Sequence, residues 1–153
     1  MPEESPTKGP TRRDFLLTGL TGRATATTVS SASASDEAIE LIERLTGKAA
    51  TESDRLRLVM PATFPNGYTV PLMLEVDSQM TEDDYVRHVR VVAPRNPLID
   101  VATFRFLPQR SQPRVSTRIR LAEPQYVLAV AEMSDGALLM AKAWVEVATN
   151  GCA

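Results

Sequence analysis

The chain has 153 residues, 43% hydrophobic and 24% charged, with a formal net charge of -2 and a pI near 5.5. That composition is globular and sufficient for one domain of ordinary size, and an acidic balance without a basic module argues against general nucleic-acid binding. No segment reaches the length of a membrane span, and one histidine with one cysteine leaves Cys/His zinc sites and His-based copper sites short of ligands, so no metal or cofactor is expected.

The N-terminal stretch reads as an address. Arg12-Arg13 followed by Phe15, Leu16 and Leu17 has the pattern of a twin-arginine export signal, although Thr18, Gly19 and Arg23 dilute its apolar stretch. Small residues at Ala32-Ser33-Ala34 suit signal peptidase, with Ala24-Thr25-Ala26 second, so residues 1–34 are expected to be a signal peptide and the protein to be periplasmic. The competing reading is a disordered tail with a chance arginine pair. Export is preferred because Pro, Ser, Thr and Ala dominate everything before Asp36.

From Asp36 the periodicity becomes helical. Ile39, Leu41, Ile42 and Leu45 recur at helix spacing, Ser35 or Asp36 is placed to cap the first turn, and Gly47 to end the last. The rest predicts strands at 56–60, 70–76, 86–93, 101–107, 114–121, 126–133 and 138–147, with a turn at Pro65-Asn66-Gly67 and a tight hairpin at Ser134-Asp135-Gly136. Seven short strands after a single helix indicate an all-β, immunoglobulin-like antiparallel β-sandwich over residues 36–147. The segment Tyr126 to Met133 is apolar on both faces, as expected of a strand buried between layers or at a subunit interface.

Charge is unevenly spread along the strands. Between Arg87 and Arg120 there are eight arginines and one acid, Asp100. They could form a patch that steers an oxyanion or an acidic protein, or they could merely solvate outer strand faces, which is the more economical reading residue by residue. His88 lies between Arg87 and Arg90 and reads as a surface strand histidine before it reads as the base of a Cys-His pair. Glu82, Asp83 and Asp84 after Thr81 read as a helical first turn or a solvated bend before they read as a metal cluster. No Gly-rich phosphate loop, nucleophile elbow or dinucleotide fingerprint occurs.

The chemistry therefore falls to Cys152. It follows the last expected strand on a short arm, residues 148–153, with Gly151 as the expected hinge and a full reach of roughly 17 Å from Val147 at about 3.4 Å per residue. A thiol on a mobile tail makes a poor enzyme, because catalysis needs held geometry, but a good tether. From the tail by itself, an exported structural or adaptor sandwich that dimerises through an intermolecular disulfide is an equal alternative. A hydrolase using His88 is the weakest reading.

A resemblance separates these readings. Thr69-Val70-Pro71, Asp77-Ser78, Met80 to Val86, Asn96-Pro97, Val101 to Phe104, Val115 to Ala122, Val130 to Gly136 and Gly151-Cys152 resemble, in register, the SoxY family of sulfur carriers in thiosulfate oxidation. The resemblance implies an immunoglobulin-like domain that pairs with a second β-sandwich, SoxZ, and carries sulfur intermediates covalently on Cys152. It implies further that a haem protein (SoxAX) joins thiosulfate to the thiol, a hydrolase (SoxB) releases sulfate, and a sulfane dehydrogenase or another acceptor takes the remaining sulfur. The chain is then a covalent carrier and not itself an enzyme. Asn150 and the end at Ala153 depart from the family's Gly-Gly-Cys-Gly-Gly tail.

Overall fold

Alternation of apolar and polar residues builds two sheets that share a core. In the strand Val70–Val76 (β4), Val70, Leu72, Leu74 and Val76 are buried while Pro71 and Met73 face outward, the period of two that a half-buried strand requires. In this computed structural model, which describes residues 31–151, β4 is the centre of a three-stranded antiparallel sheet between Leu56–Val59 (β2) and Arg114–Ile119 (β7). The facing sheet has the order β1-β9-β8-β5-β6, formed by Thr51–Glu52, Leu138–Val147, Gln125–Met133, Val86–Val92 and Asp100–Arg105, with Thr63–Phe64 (β3) also paired to β9. Val89, Val91, Val127, Ala129 and Val145 of the large sheet meet Leu56, Leu72 and Leu74 of the small one.

The sandwich is immunoglobulin-like and almost entirely β, as expected. The seven expected strands are all present, with ends shifted by a residue or two. Two further strands of two residues each, β1 and β3, run parallel to β9 rather than antiparallel. Neither is long enough to show alternation, so no pattern in the sequence marks them. Ser134-Asp135-Gly136 does turn the β8–β9 hairpin: the Gly136 N–H donates to Met133 O, the Met133 N–H donates to Ala137 O, and Gly136 takes φ 85°. Pro65-Asn66-Gly67 turns the chain within the connection between β2 and β4, which pair antiparallel, although β3 just before it belongs to the other sheet.

The helix α1 spans Ser31–Thr46, five residues earlier than the periodicity indicates, so Ser35 and Asp36 lie within it and do not cap its start. An expected cleavage after Ala34 falls inside its first turn. Gly47 ends it at φ 71°, its N–H bonded to Glu43 O, while Thr46 Oγ1 donates to Ile42 O. Ala38 and Ile42, one turn apart, seat α1 on the outer face of the large sheet against Leu128, Val130, Leu138 and Met140. Leu45, expected in the apolar stripe, is exposed.

This packing explains the two-faced strand. In β8, Val127, Ala129 and Ala131 face the sheet-to-sheet core, and Leu128 and Val130 face α1. Both faces are covered by the chain's own elements, so the apolarity of β8 needs no subunit interface. The export signal expected over residues 1–34 lies outside the described residues as far as residue 30, and so do Cys152 and Ala153.

Candidate functional site

Strand β9 does not stop cleanly at Val147; the chain beyond it is laid along the segment that contains β3. The Glu146 N–H donates to Ala62 O (2.8 Å) and the Ala148 N–H to Phe64 O (3.2 Å), continuing the parallel pairing. The Gly67 N–H then donates to Thr149 O (2.7 Å), the Leu121 N–H to Gly67 O (2.8 Å), and the Gly151 N–H to Leu121 O (2.8 Å). Gly67 is thus bonded to the tail through its N–H and to the β7–β8 loop through its carbonyl. Gly151 reaches the same loop and is buried.

Only glycine fits at both positions. A Cβ on Gly67 would lie 2.5 Å from Gly151 N and still nearer to Leu121 O; one on Gly151 would lie 2.7 Å from Leu121 O and still nearer to Gly67 O. All of these obstacles are backbone atoms, which cannot rotate away. Gly151, the expected hinge of the arm, is in this structure bonded to the domain through its own N–H. The physical reason is that backbone N–H and C=O groups dock without needing apolar side chains, so the exposed Thr149 and Asn150 do not prevent it. At roughly 0.5–1.5 kcal/mol net for each bond, the three made by Ala148, Thr149 and Gly151 hold the tail by on the order of 2–4 kcal/mol, less than a folded domain's total stability.

The loop that receives the tail is braced from behind. Asn96 Nδ2 donates to Arg120 O (2.8 Å), and Asn96 Oδ1 accepts from the Ala122 N–H (2.8 Å) and from Gln125 Nε2 (3.0 Å). Gln125, only 1% exposed, accepts the Arg95 N–H on Oε1 at 2.9 Å. Gln125→Leu leaves that N–H and Asn96 Oδ1 short of a partner, and urea denaturation is expected to show a loss of ~1–3 kcal/mol. An unchanged midpoint would mean that the brace adds nothing.

The remaining candidates are not brought together. His88, paired in register with Arg105 and Glu132, lies near the Ser134 end of β8, whereas Gly151 is bonded near its Gln125 end. Thr81 to Asp84 form a bend, with the Asp84 N–H on Thr81 Oγ1 and the Asp84 carboxylate 3.3 Å from Arg55. No cluster of three or more His, Cys, Asp or Glu side chains that could hold a metal occurs among the described residues. The arginines are spread over strands of both sheets and the loops between them: Arg87, Arg90, Arg95 and Arg114 pair with Glu132, Asp100, Glu123 and Glu75. Arg118 and Arg120 line a groove with Leu98, Val101 and Phe104 between β6 and β7, the edge strands of the two sheets. Sequence reasoning missed Gly67 altogether. Its only local signal, Pro-Asn-Gly, reads as a turn, and no positive φ singles it out.

These features define an immunoglobulin-like β-sandwich whose last strand runs on into a tail seated against the domain's own end. The family described as sulfur oxidation protein SoxY matches residues 42–152, and the chain belongs to that family. Among solved structures, the sulfur carrier protein SoxY from Chlorobium limicola f thiosulfatophilum is 29% identical, covers 76% of this chain and 98% of its own, and superposes with a TM-score of 0.57. A putative superoxide reductase from Thermotoga maritima (16% identity, 67% of this chain and 96% of that one, TM-score 0.58) shares the fold alone. The same holds for superoxide reductase (neelaredoxin) from Ignicoccus hospitalis (15%, 76% and 92%, 0.55). No curated protein matches. Among the described residues, no helix is long and apolar enough to cross a membrane.

Proposed function

We propose that this chain carries sulfur intermediates of thiosulfate oxidation covalently on Cys152 and presents them to partner enzymes. The observation that carries the reading is the family match, which runs to residue 152 and so includes the chain's one cysteine. Oxidative coupling of the thiol to thiosulfate forms one S–S bond, releases one proton and passes two electrons to a SoxAX-like haem partner. A SoxB-like hydrolase then cleaves the bond to the terminal sulfone with water, releasing sulfate and one proton and leaving a protonated persulfide. A sulfane dehydrogenase or another acceptor removes that last sulfur. The chain's own part is to attach the substrate and to place it, since a tethered group is kept at high effective concentration near each partner site. Intact-mass spectrometry of protein from thiosulfate-oxidising cells is the test: sulfur adducts that vanish on reduction are expected, and an unmodified thiol would sink the reading.

The proposal includes a SoxZ-like β-sandwich as heterodimer partner. With β8 covered by α1, apolar surface remains at Leu98, Val59 and Met73, of which the last two are cross-strand neighbours on the outer face of the small sheet. Co-expression should yield a 1:1 complex on gel filtration, and a stable, monodisperse monomer in the presence of the second sandwich would argue against it.

Periplasmic delivery by the twin-arginine route completes the reading, motivated by Arg12-Arg13. Changing both to lysine is expected to leave full-length, unprocessed protein in the cytoplasm on fractionation. Normal processing of that variant would remove the export assignment.

A further inference from the structure

The tail's hydrogen bonds do more than tidy a chain end, because of what they hold and how lightly they hold it. The receiving side is rigid: Leu121 has its side chain fully buried in the core, and Asn96 grips the backbone on both flanks of it, at Arg120 and Ala122. The seated side is light. Ala148, Thr149 and Asn150 are all exposed, so the tail docks through backbone bonds without burying apolar side chains there. The core residue before them, Val147, is held independently by its own burial.

We propose that Gly67 is a positioning residue for the carrier segment: with the Leu121 carbonyl it forms a slot that accepts glycine and nothing larger at position 151. With the slot filled, whatever follows Gly151 starts from a fixed point on the domain. With it empty, the same group sits at the end of a four-residue tether, Ala148 to Gly151, gaining a reach of about 14 Å at ~3.4 Å per residue. The reciprocal exclusion makes the slot specific, since a Cβ on either glycine strikes the backbone of the other and of Leu121. The weak backbone attachment makes it reversible. A carrier has use for both states, because a held group keeps a defined place between partners and a released one can enter a partner's site. That use rests on the carrier reading; the slot itself rests on geometry.

The test compares full-length wild type with Gly151→Ala and Gly67→Ala by amide hydrogen exchange, by the rate at which iodoacetamide alkylates Cys152, and by the thermal midpoint. In wild type the amides of residues 67 and 151 are expected to exchange at least tenfold slower than in an unstructured peptide. In Gly151→Ala both are expected to lose that protection, alkylation to speed up threefold or more, and the midpoint to fall by several degrees with the transition still cooperative, because the lost stability is only that of the tail's own backbone bonds. A purely structural role would move the midpoint and not the alkylation rate. Gly67→Ala should behave alike but touches the Leu121 backbone directly, so if it fails to fold Gly151→Ala decides. Wild-type amides exchanging at peptide rates, or alkylation of Gly151→Ala unchanged or slower, overturns the slot. Protected amides on a protein that never acquires sulfur on Cys152 would leave the slot standing and remove the carrier reading instead.

Discussion

Cys152→Ser is expected to reduce thiosulfate-dependent turnover by reconstituted partner enzymes to the background without carrier, while leaving the domain's unfolding curve unchanged. The sequence contains no second cysteine to take over the attachment. A serine oxygen cannot form the sulfur–sulfur bond through which the first oxidation is read, so the loss should be complete rather than partial. The fold should not notice, since the core is closed by Val145 and Val147 before the tail begins. Turnover above background in this variant would mean that sulfur travels by another route, with the chain acting as an adaptor. A disulfide-linked dimer as the active species would show itself instead as activity lost on mild reduction in the wild type.

Ile42→Asp is expected to damage the fold severely. Ile42 is fully buried between α1 and the large sheet, in one apolar cluster with Leu128, Val130, Leu138 and Met140. An unpaired carboxylate there costs on the order of 3–5 kcal/mol, enough to lift α1 off the sheet. The uncovered apolar face of β8 and β9 would then drive association, because a two-sided apolar strand exposed on one side is an adhesive surface. Urea denaturation and light scattering check this. Leu45→Asp is the control: Leu45 is 42% exposed at the end of the same helix, and its substitution should cost a few tenths of a kcal/mol at most. Equal effects at the two positions would mean that α1 does not cover the sheet.

What could be read from the residues follows from how local the signals are. Strand β4 shows its alternation over seven residues, and the hairpin at Ser134-Asp135-Gly136 shows a glycine where a positive φ is needed, so both were legible. The helix was legible through Ile42, but its start was not, because residues 31–35 have no periodicity of their own. Strands β1 and β3 stayed hidden because two residues cannot alternate, and each exists only as a parallel partner of β9.

The sequence by itself determined the fold class, the family and the chain's one thiol, because alternating burial, ordered motifs and a cysteine count of one need no three-dimensional information. The tertiary structure decided what those residues lie against. It turned the two-faced strand β8 from an interface candidate into the layer beneath α1, and it scattered the arginines over both sheets and their loops. It also placed Gly151, the expected hinge, in a seat against Gly67 and Leu121. Those three positions are separated along the chain by 30 residues or more, and their contact is made by backbone atoms common to every residue. Side-chain patterning therefore carries no trace of it, and only the closure of the two sheets around one core brings the three strands' ends together.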